Sequence, residues 1–303
     1  MLLFSIFVLF ICHQSLARFI APNRKVPVEI HPGELTITVK TTRKFHNTRV
    51  KDILDTWFRL SPENIFFISD TNDQALNQST NGHLINSKCP SSHNSRALCC
   101  KMNHELDFFV QRDTKRALCC KMNHELDFFV QRDTKWSCHF DDDNYVNVDE
   151  LIKTLRQFDP NEDWYLGRPS TNGPIKIDDS EAKSEFWFAT GGAGLCLSRS
   201  VIHKLATYVK NHGFKHLGHR IQSPDDVTLG YLLEHLLNIR LTIIDKFHSH
   251  FELLDGISEK KLHSQISLSA GSYDEHRENY VKVPILFSHD QDPQRILNFI
   301  MIY

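Results

Sequence analysis

Trp136-Ser137-Cys138-His139-Phe140-Asp141-Asp142-Asp143-Asn144-Tyr145-Val146 places three consecutive carboxylates at the end of a run that reads as a buried strand. Side-by-side carboxylates repel one another, so a fold tolerates them cheaply when a cation neutralises them. Oxygen donors suit a hard divalent ion, Mg²⁺ or Mn²⁺, and such an ion commonly holds a diphosphate. The competing reading is a solvated acidic turn after a strand. The triplet alone does not choose between them.

Upstream, Leu35-Thr36-Ile37-Thr38-Val39 alternates and is rich in β-formers, which predicts a strand. Val50, Ile53, Leu54, Trp57 and Phe58 share one face at helical spacing. Ile65-Phe66-Phe67-Ile68 then gives a second buried strand ending at Ser69-Asp70. Strand and helix patterns alternate through Phe140, which predicts an α/β fold with a largely parallel sheet flanked by helices. Ligands of such sheets bind beyond the carboxyl ends of the strands, where Asp141 to Asp143 fall.

Between the second strand and the triplet, residues 96–115 recur without a change as residues 116–135. The unit is helical in pattern, with Leu98, Met102, Leu106, Phe109 and Val110 on one face. At about 100° per residue, a twenty-residue offset turns that face by about 200°, so one straight helix cannot bury both copies. Functional repeats usually come in three or more copies that differ in detail. One copy is therefore expected to fill the helix position, and the other to be extruded or misfit.

Downstream, Phe186-Trp187-Phe188-Ala189-Thr190-Gly191-Gly192-Ala193-Gly194 joins aromatics to a glycine turn. Glycines there let the backbone approach a ligand, although a plain tight turn before a helix near Ser198 to Tyr208 gives the same pattern. Ser223-Pro224-Asp225-Asp226 opens an amphipathic segment carrying Leu229, Leu232, Leu233, Leu236 and Leu237. Pro followed by acids is helix-start chemistry, and a carboxylate there also suits a general base. Phe247-His248-Ser249-His250-Phe251 follows the strand-like Leu241 to Asp245, and a neutral imidazole can complete a carboxylate metal site.

The chain has 303 residues, 24% charged and 41% hydrophobic, with a formal charge of -2. These values describe an ordinary globular protein and give none of the basic excess of a nucleic-acid binder. Residues 1–17 carry the apolar run Leu2 to Cys12 followed by Ser15-Leu16-Ala17, which reads as a cleaved secretory signal. A short uncleaved signal anchor is the alternative, and it is the one route by which the chain would meet a membrane. Residues 18–33 read as a tether before a domain over 34–303. Entry into an oxidising lumen lets cysteines pair, but spacing alone does not assign the pairs. Asn77-Gln78-Ser79 is a glycosylation sequon in a polar stretch and reads as a surface loop.

Six segments in order resemble the Fringe family of β-1,3-N-acetylglucosaminyltransferases: Lys44-Phe45-His46 with Arg49 and Thr56-Trp57, Phe140 to Val146, Gly167-Arg168-Pro169-Ser170, Phe186 to Gly194, Pro224-Asp225-Asp226, and Phe247 to His250. The resemblance runs from about Leu35 to Asp290. It implies a GT-A-type fold, Mn²⁺, a UDP-GlcNAc donor and O-linked fucose on EGF-like repeats of Notch-type receptors, met in the Golgi lumen as a type II membrane protein or after secretion. It implies metal ligation by Asp143 and His250, donor contact by Asp142, a nucleotide pocket containing Arg49, and Asp226 as the general base. It also implies the pairs Cys138–Cys196 and Cys89 with Cys100 or, in the second repeat copy, Cys120. Core 1-type galactosyl transfer and a catalytically inactive sugar- or EGF-binding relative are the alternatives. The departures from the family pattern are the repeat and, after Pro284, the lack of the family's cysteine-containing tail.

Overall fold

The structure is a computed structural model that describes residues 27–31, 33–119, 134–178, 183–269, 271–274, 277–279 and 281. The expected signal, most of the tether, most of the second repeat copy and the C-terminal tail lie outside the described residues.

The strands run in chain order as β1 Leu35–Lys40, β2 Ile65–Ser69, β3 Leu84–Asn86, β4 Trp136–Asp141, β5 Asn144–Val146, β6 Tyr165–Gly167, β7 Ile175–Asp178, β8 Lys183–Phe186, β9 Leu195–Ser198, β10 Leu241–Ile243 and β11 Ser267–Ser269. Seven of them form one sheet in the order β10-β6-β9-β4-β1-β2-β3. The pairs β1/β2, β1/β4, β2/β3 and β6/β10 are parallel, while β9 runs antiparallel to β4 and β6. This is the mixed, largely parallel sheet expected of a GT-A-type fold.

Both faces of the sheet are covered, so Thr36, Thr38, Ser137 and His139 of its central strands are buried along with their apolar neighbours. In β1 and β4 every residue is buried except the last, Lys40 and Asp141. Successive side chains alternate between two cores. Ile37, Val39, Cys138, Phe140, Leu166 and Cys196 pack on one side with Trp57 and Trp136. Tyr165, Leu195 and Leu197 pack on the other against helices.

The helices that matter for the site are α1 Arg49–Asp55, α2 Gln74–Ser79, α3 Ser95–Cys119, α4 Val148–Leu155, α5 Arg199–Val209, α6 Gly213–Ile221 and α7 Asp225–Gly230. Helix α4 starts where Asn147 accepts the Glu150 N–H, and α5 where Ser198 accepts that of Val201. The first repeat copy fills the position in α3, with Cys99, Met102, Leu106, Phe109 and Val110 buried against α5, α6 and the sheet. The helix continues into the second copy as far as Cys119.

Cys138 and Cys196 face each other in register on β4 and β9 and are bonded, as are Cys89 and Cys100; Cys99 is a buried free thiol. The first bridge closes a loop 58 residues long in sequence. Replacing Cys138 and Cys196 by Ala is expected to lower unfolding stability by about 4 kcal/mol on the loop-entropy scale, read by denaturant titration. A loss below about 1 kcal/mol would show that the sheet holds this pair without help.

Two expectations need correction. Asn77 is exposed, but it lies on α2 and not in a loop. Asp73 caps that helix by accepting the Leu76 N–H, and a single buried residue, Leu76, leaves too little periodicity to read. After α7 the segment Tyr231–Leu236 winds as a π-type turn. Its different angular step breaks the Leu spacing: Leu229, Leu232 and Leu233 are buried, whereas Leu236 is exposed.

Removing residues 116–135 would keep the buried first copy and its bond to Cys89 while deleting Cys119 and Cys120. The shortened chain is expected to give more soluble protein and higher activity per milligram. Equal or lower yield would mean that the second copy belongs to the fold.

Candidate active site: an acidic cleft at the strand ends

The parallel register sets Lys40, the last residue of β1, directly beside Asp141, the last residue of β4. Beyond these ends opens a cleft of about 470 Å³, lined among others by Arg49, Asp142, Asp143, Asp226 and His250. All five residues expected to bind donor, metal or acceptor proton therefore reach one space.

The three aspartates differ because their neighbours differ. Burial opposes the charge on Asp141, but Lys40 at 3.2 Å and the His139 imidazole at 3.5 Å outweigh it and hold the carboxyl below the usual range. Asp142 accepts hydrogen bonds from Arg49 at 2.8 Å and the Thr41 hydroxyl at 2.7 Å; burial still leaves its pKa raised. The Arg49 guanidinium lies 4.1 Å over the Phe45 ring, a cation–π contact that fixes its direction. Asp143 has Arg49 no closer than 3.7 Å; burial first, and the Asp141 charge second, push it up to about 7.

Asp143 and His250 meet at a common partner. The Ser269 hydroxyl lies 3.3 Å from Asp143 Oδ1 and 3.4 Å from His250 Nδ1. Burial lowers the His250 pKa, which keeps the imidazole neutral with a lone pair free for a cation. A buried carboxylate destabilised by its neighbours, beside a neutral imidazole, is a donor set that fits a divalent ion such as Mn²⁺.

The glycine turn also lines the cleft, against His250 and Asp226. Gly194 adopts φ +87°, and a Cβ there would stand 2.3 Å from the Phe140 ring, so both backbone and space require glycine. A Cβ on Gly192 would come within 3.2 Å of the His250 ring. Gly191 donates its N–H to Asp226 Oδ2 at 3.3 Å. Asp226 sits in the first turn of α7, pushed up to about 6 by burial and then by the adjacent Asp225 charge.

Behind the cleft runs a chain of buried charges that the sequence did not suggest. Glu105 of the repeat helix accepts from Thr38 and sits 2.8 Å from His139 Nδ1. Burial lowers the His139 pKa, but Glu105 overrides it and raises the value to about 9, so the ring is an imidazolium at neutral pH. His139 faces Asp141, Asp141 faces Lys40, and Lys40 bonds Asp225 at 2.7 Å. The first repeat copy thus supplies a charge that supports the acidic strand end.

Strands, acidic end, glycine turn and α7 carboxylate together define a GT-A-type framework with an acidic cleft at the strand ends. Similarity to known proteins narrows this. A family model described as Fringe-like matches residues 30–115 and 110–303, and the chain belongs to the Fringe family. The two matched segments overlap at residues 110–115, the end of the first repeat copy. Fringe glycosyltransferase of Drosophila melanogaster is 41% identical over 268 residues, covering 86% of this chain and 60% of that protein. Beta-1,3-N-acetylglucosaminyltransferase lunatic fringe of Danio rerio is 36% identical over 88% of this chain and 67% of its own length. The radical fringe enzyme of Gallus gallus is 37% identical over 90% and 70%. The chain thus spans somewhat under two thirds of the fly relative and about two thirds of the vertebrate ones.

Proposed function

We propose that this chain is an inverting β-1,3-N-acetylglucosaminyltransferase that moves GlcNAc from UDP-GlcNAc to O-linked fucose on EGF-like repeats of Notch-type receptors. The observation that carries the reading is the convergence of Arg49, Asp142, Asp143, Asp226 and His250 on one cleft. In this reading the protein works in the Golgi lumen or after secretion, with Asn77 available for glycosylation.

Asp143 and His250 would hold Mn²⁺, which when bound supplies positive charge to the diphosphate as it leaves. Arg49, fixed by Phe45 and Asp142, adds a permanent positive charge on the same wall and limits the nucleotide to one orientation. Asp142, held from two sides, presents a rigid acceptor to the donor's hydroxyl groups. Asp226 takes the proton from the fucose 3-hydroxyl as that oxygen attacks the anomeric carbon. One displacement converts an α-linked donor into a β-linked product, and the acceptor hydroxyl stands where an inverting hydrolase places water. A pKa near 6 keeps Asp226 ionised at neutral pH yet basic enough to accept a proton.

The test is transfer from UDP-GlcNAc and from UDP-Gal to an O-fucosylated EGF repeat and to a mucin-type peptide, with Mn²⁺ and with chelator. The expected result is Mn²⁺-dependent GlcNAc transfer to the fucosylated repeat. Galactose transfer to the mucin peptide would replace this reading with a core 1-type activity. Absence of any product from folded protein would make the chain a non-catalytic member.

A further inference from the structure

The sheet and α7 approach each other through one side chain. Lys40 lies at the end of β1, its side chain 11% exposed, with Asp225 Oδ2 at 2.7 Å and Asp141 Oδ1 at 3.2 Å. Asp225 is itself 6% exposed at its side chain and adjoins Asp226 in the chain. We propose that Lys40 is a positioning residue for glycosyl transfer, clamping the start of α7 to the acidic strand end and neutralising Asp225 so that Asp226 remains an ionised base. This rests on the reading of Asp226 as the base.

Three observations support the clamp. No other ion pair joins β1 to α7 among the described residues, so this contact is the ionic tie between the acidic strand end and the helix that carries the base. The pair is too buried for water to replace it, and removing one partner leaves an uncompensated charge inside the protein. The two acids at the start of α7 are side by side, so a charge left on Asp225 acts directly on its neighbour.

The groups around Asp226 come from several elements. Asp225 and Lys40 bear charge, the Asp141 carboxylate and His139 imidazolium of β4 lie across Gly191 from it, the Gly191 and Val227 N–H groups donate, and the Tyr165 phenol of β6 and the Cys99 thiol of α3 stand nearby as neutral groups. Lys40 in turn faces Asp141, Asp225 and, further off, Glu105. Removing the Lys40 charge therefore leaves Asp225 as the dominant charged neighbour of Asp226, and removing Asp225 does the opposite.

The experiment is the pH dependence of kcat/KM for Lys40→Met, Lys40→Arg and Asp225→Asn, with melting temperature and UDP affinity measured alongside. Lys40→Met is expected to move the acid limb up by about one pH unit, Lys40→Arg to leave it near wild type, and Asp225→Asn to move it down. A purely structural lysine would lower activity equally at every pH and leave the limb in place, which would overturn the proposal. Should Lys40→Met fail to fold, an unmoved limb in Asp225→Asn overturns it equally. Full activity in Asp226→Asn would instead remove the underlying reading of the base, and the proposal with it.

Discussion

Asp226→Asn is expected to reduce kcat for GlcNAc transfer by about 10²- to 10⁴-fold, the usual contribution of a positioned general base. UDP affinity should stay within a few-fold, because the substitution is isosteric and the remaining oxygen keeps one of the two N–H donors, Gly191 on Oδ2 or Val227 on Oδ1. The wild-type acid limb carries the same information. The base works ionised, so activity is present above about pH 6 and declines as pH falls through that value. Asn cannot titrate, so at Mn²⁺ concentrations that saturate the site across the pH range the residual activity of the variant should lose that limb. Normal turnover in Asp226→Asn would exclude it as the base.

Asp143→Asn should be equally severe by a different route. A metal ligand contributes several kcal/mol of charge stabilisation to the leaving diphosphate, so transfer should fall by about a thousandfold. Here UDP affinity should lose its Mn²⁺ dependence, which separates this variant from Asp226→Asn. The pH behaviour has a defined sign. Asp143 must be ionised to bind a cation, and its pKa is pushed up to about 7, so Mn²⁺ affinity measured by calorimetry should weaken as pH falls below neutrality. Unaltered Mn²⁺ binding in the variant would move the metal to another carboxylate of the triplet.

The sheet was legible because its strands announce themselves locally. β1 and β2 are rich in β-branched and aromatic residues, β4 carries Trp136, Cys138 and Phe140, and the acid triplet marks where β4 leaves the core. The residues singled out from motifs do line one cleft: Arg49 and Asp226 stand at helix starts, Asp142 and Asp143 just past a strand end, and His250 in the loop after β10. Lys40 was not legible. It ends an ordinary strand, and only the pairing of β1 with β4 sets it beside Asp141. Glu105 stands outside the apolar pattern of its helix, yet it is fully buried against His139 and Thr38. Ser269 carries no local signal, and the antiparallel pairing of β11 with β5, which sets it opposite Asn144, brings it to Asp143. These residues depend on long-range register, which no spacing rule within one segment encodes.

The repeat shows the same division. Identical copies give identical helical patterns, so sequence periodicity cannot choose between them. The structure places the first copy against the sheet, where its Cys100 bonds Cys89 and its Glu105 underlies the acidic strand end. Catalysis in this account needs one copy of that helix.

The most direct test is the linkage of the product formed from UDP-GlcNAc and an O-fucosylated EGF repeat, determined by nuclear magnetic resonance of the released disaccharide. The account predicts GlcNAc joined β-1,3 to fucose, formed by wild type and lost in Asp226→Asn. An α-linked product would contradict a single displacement at this cleft.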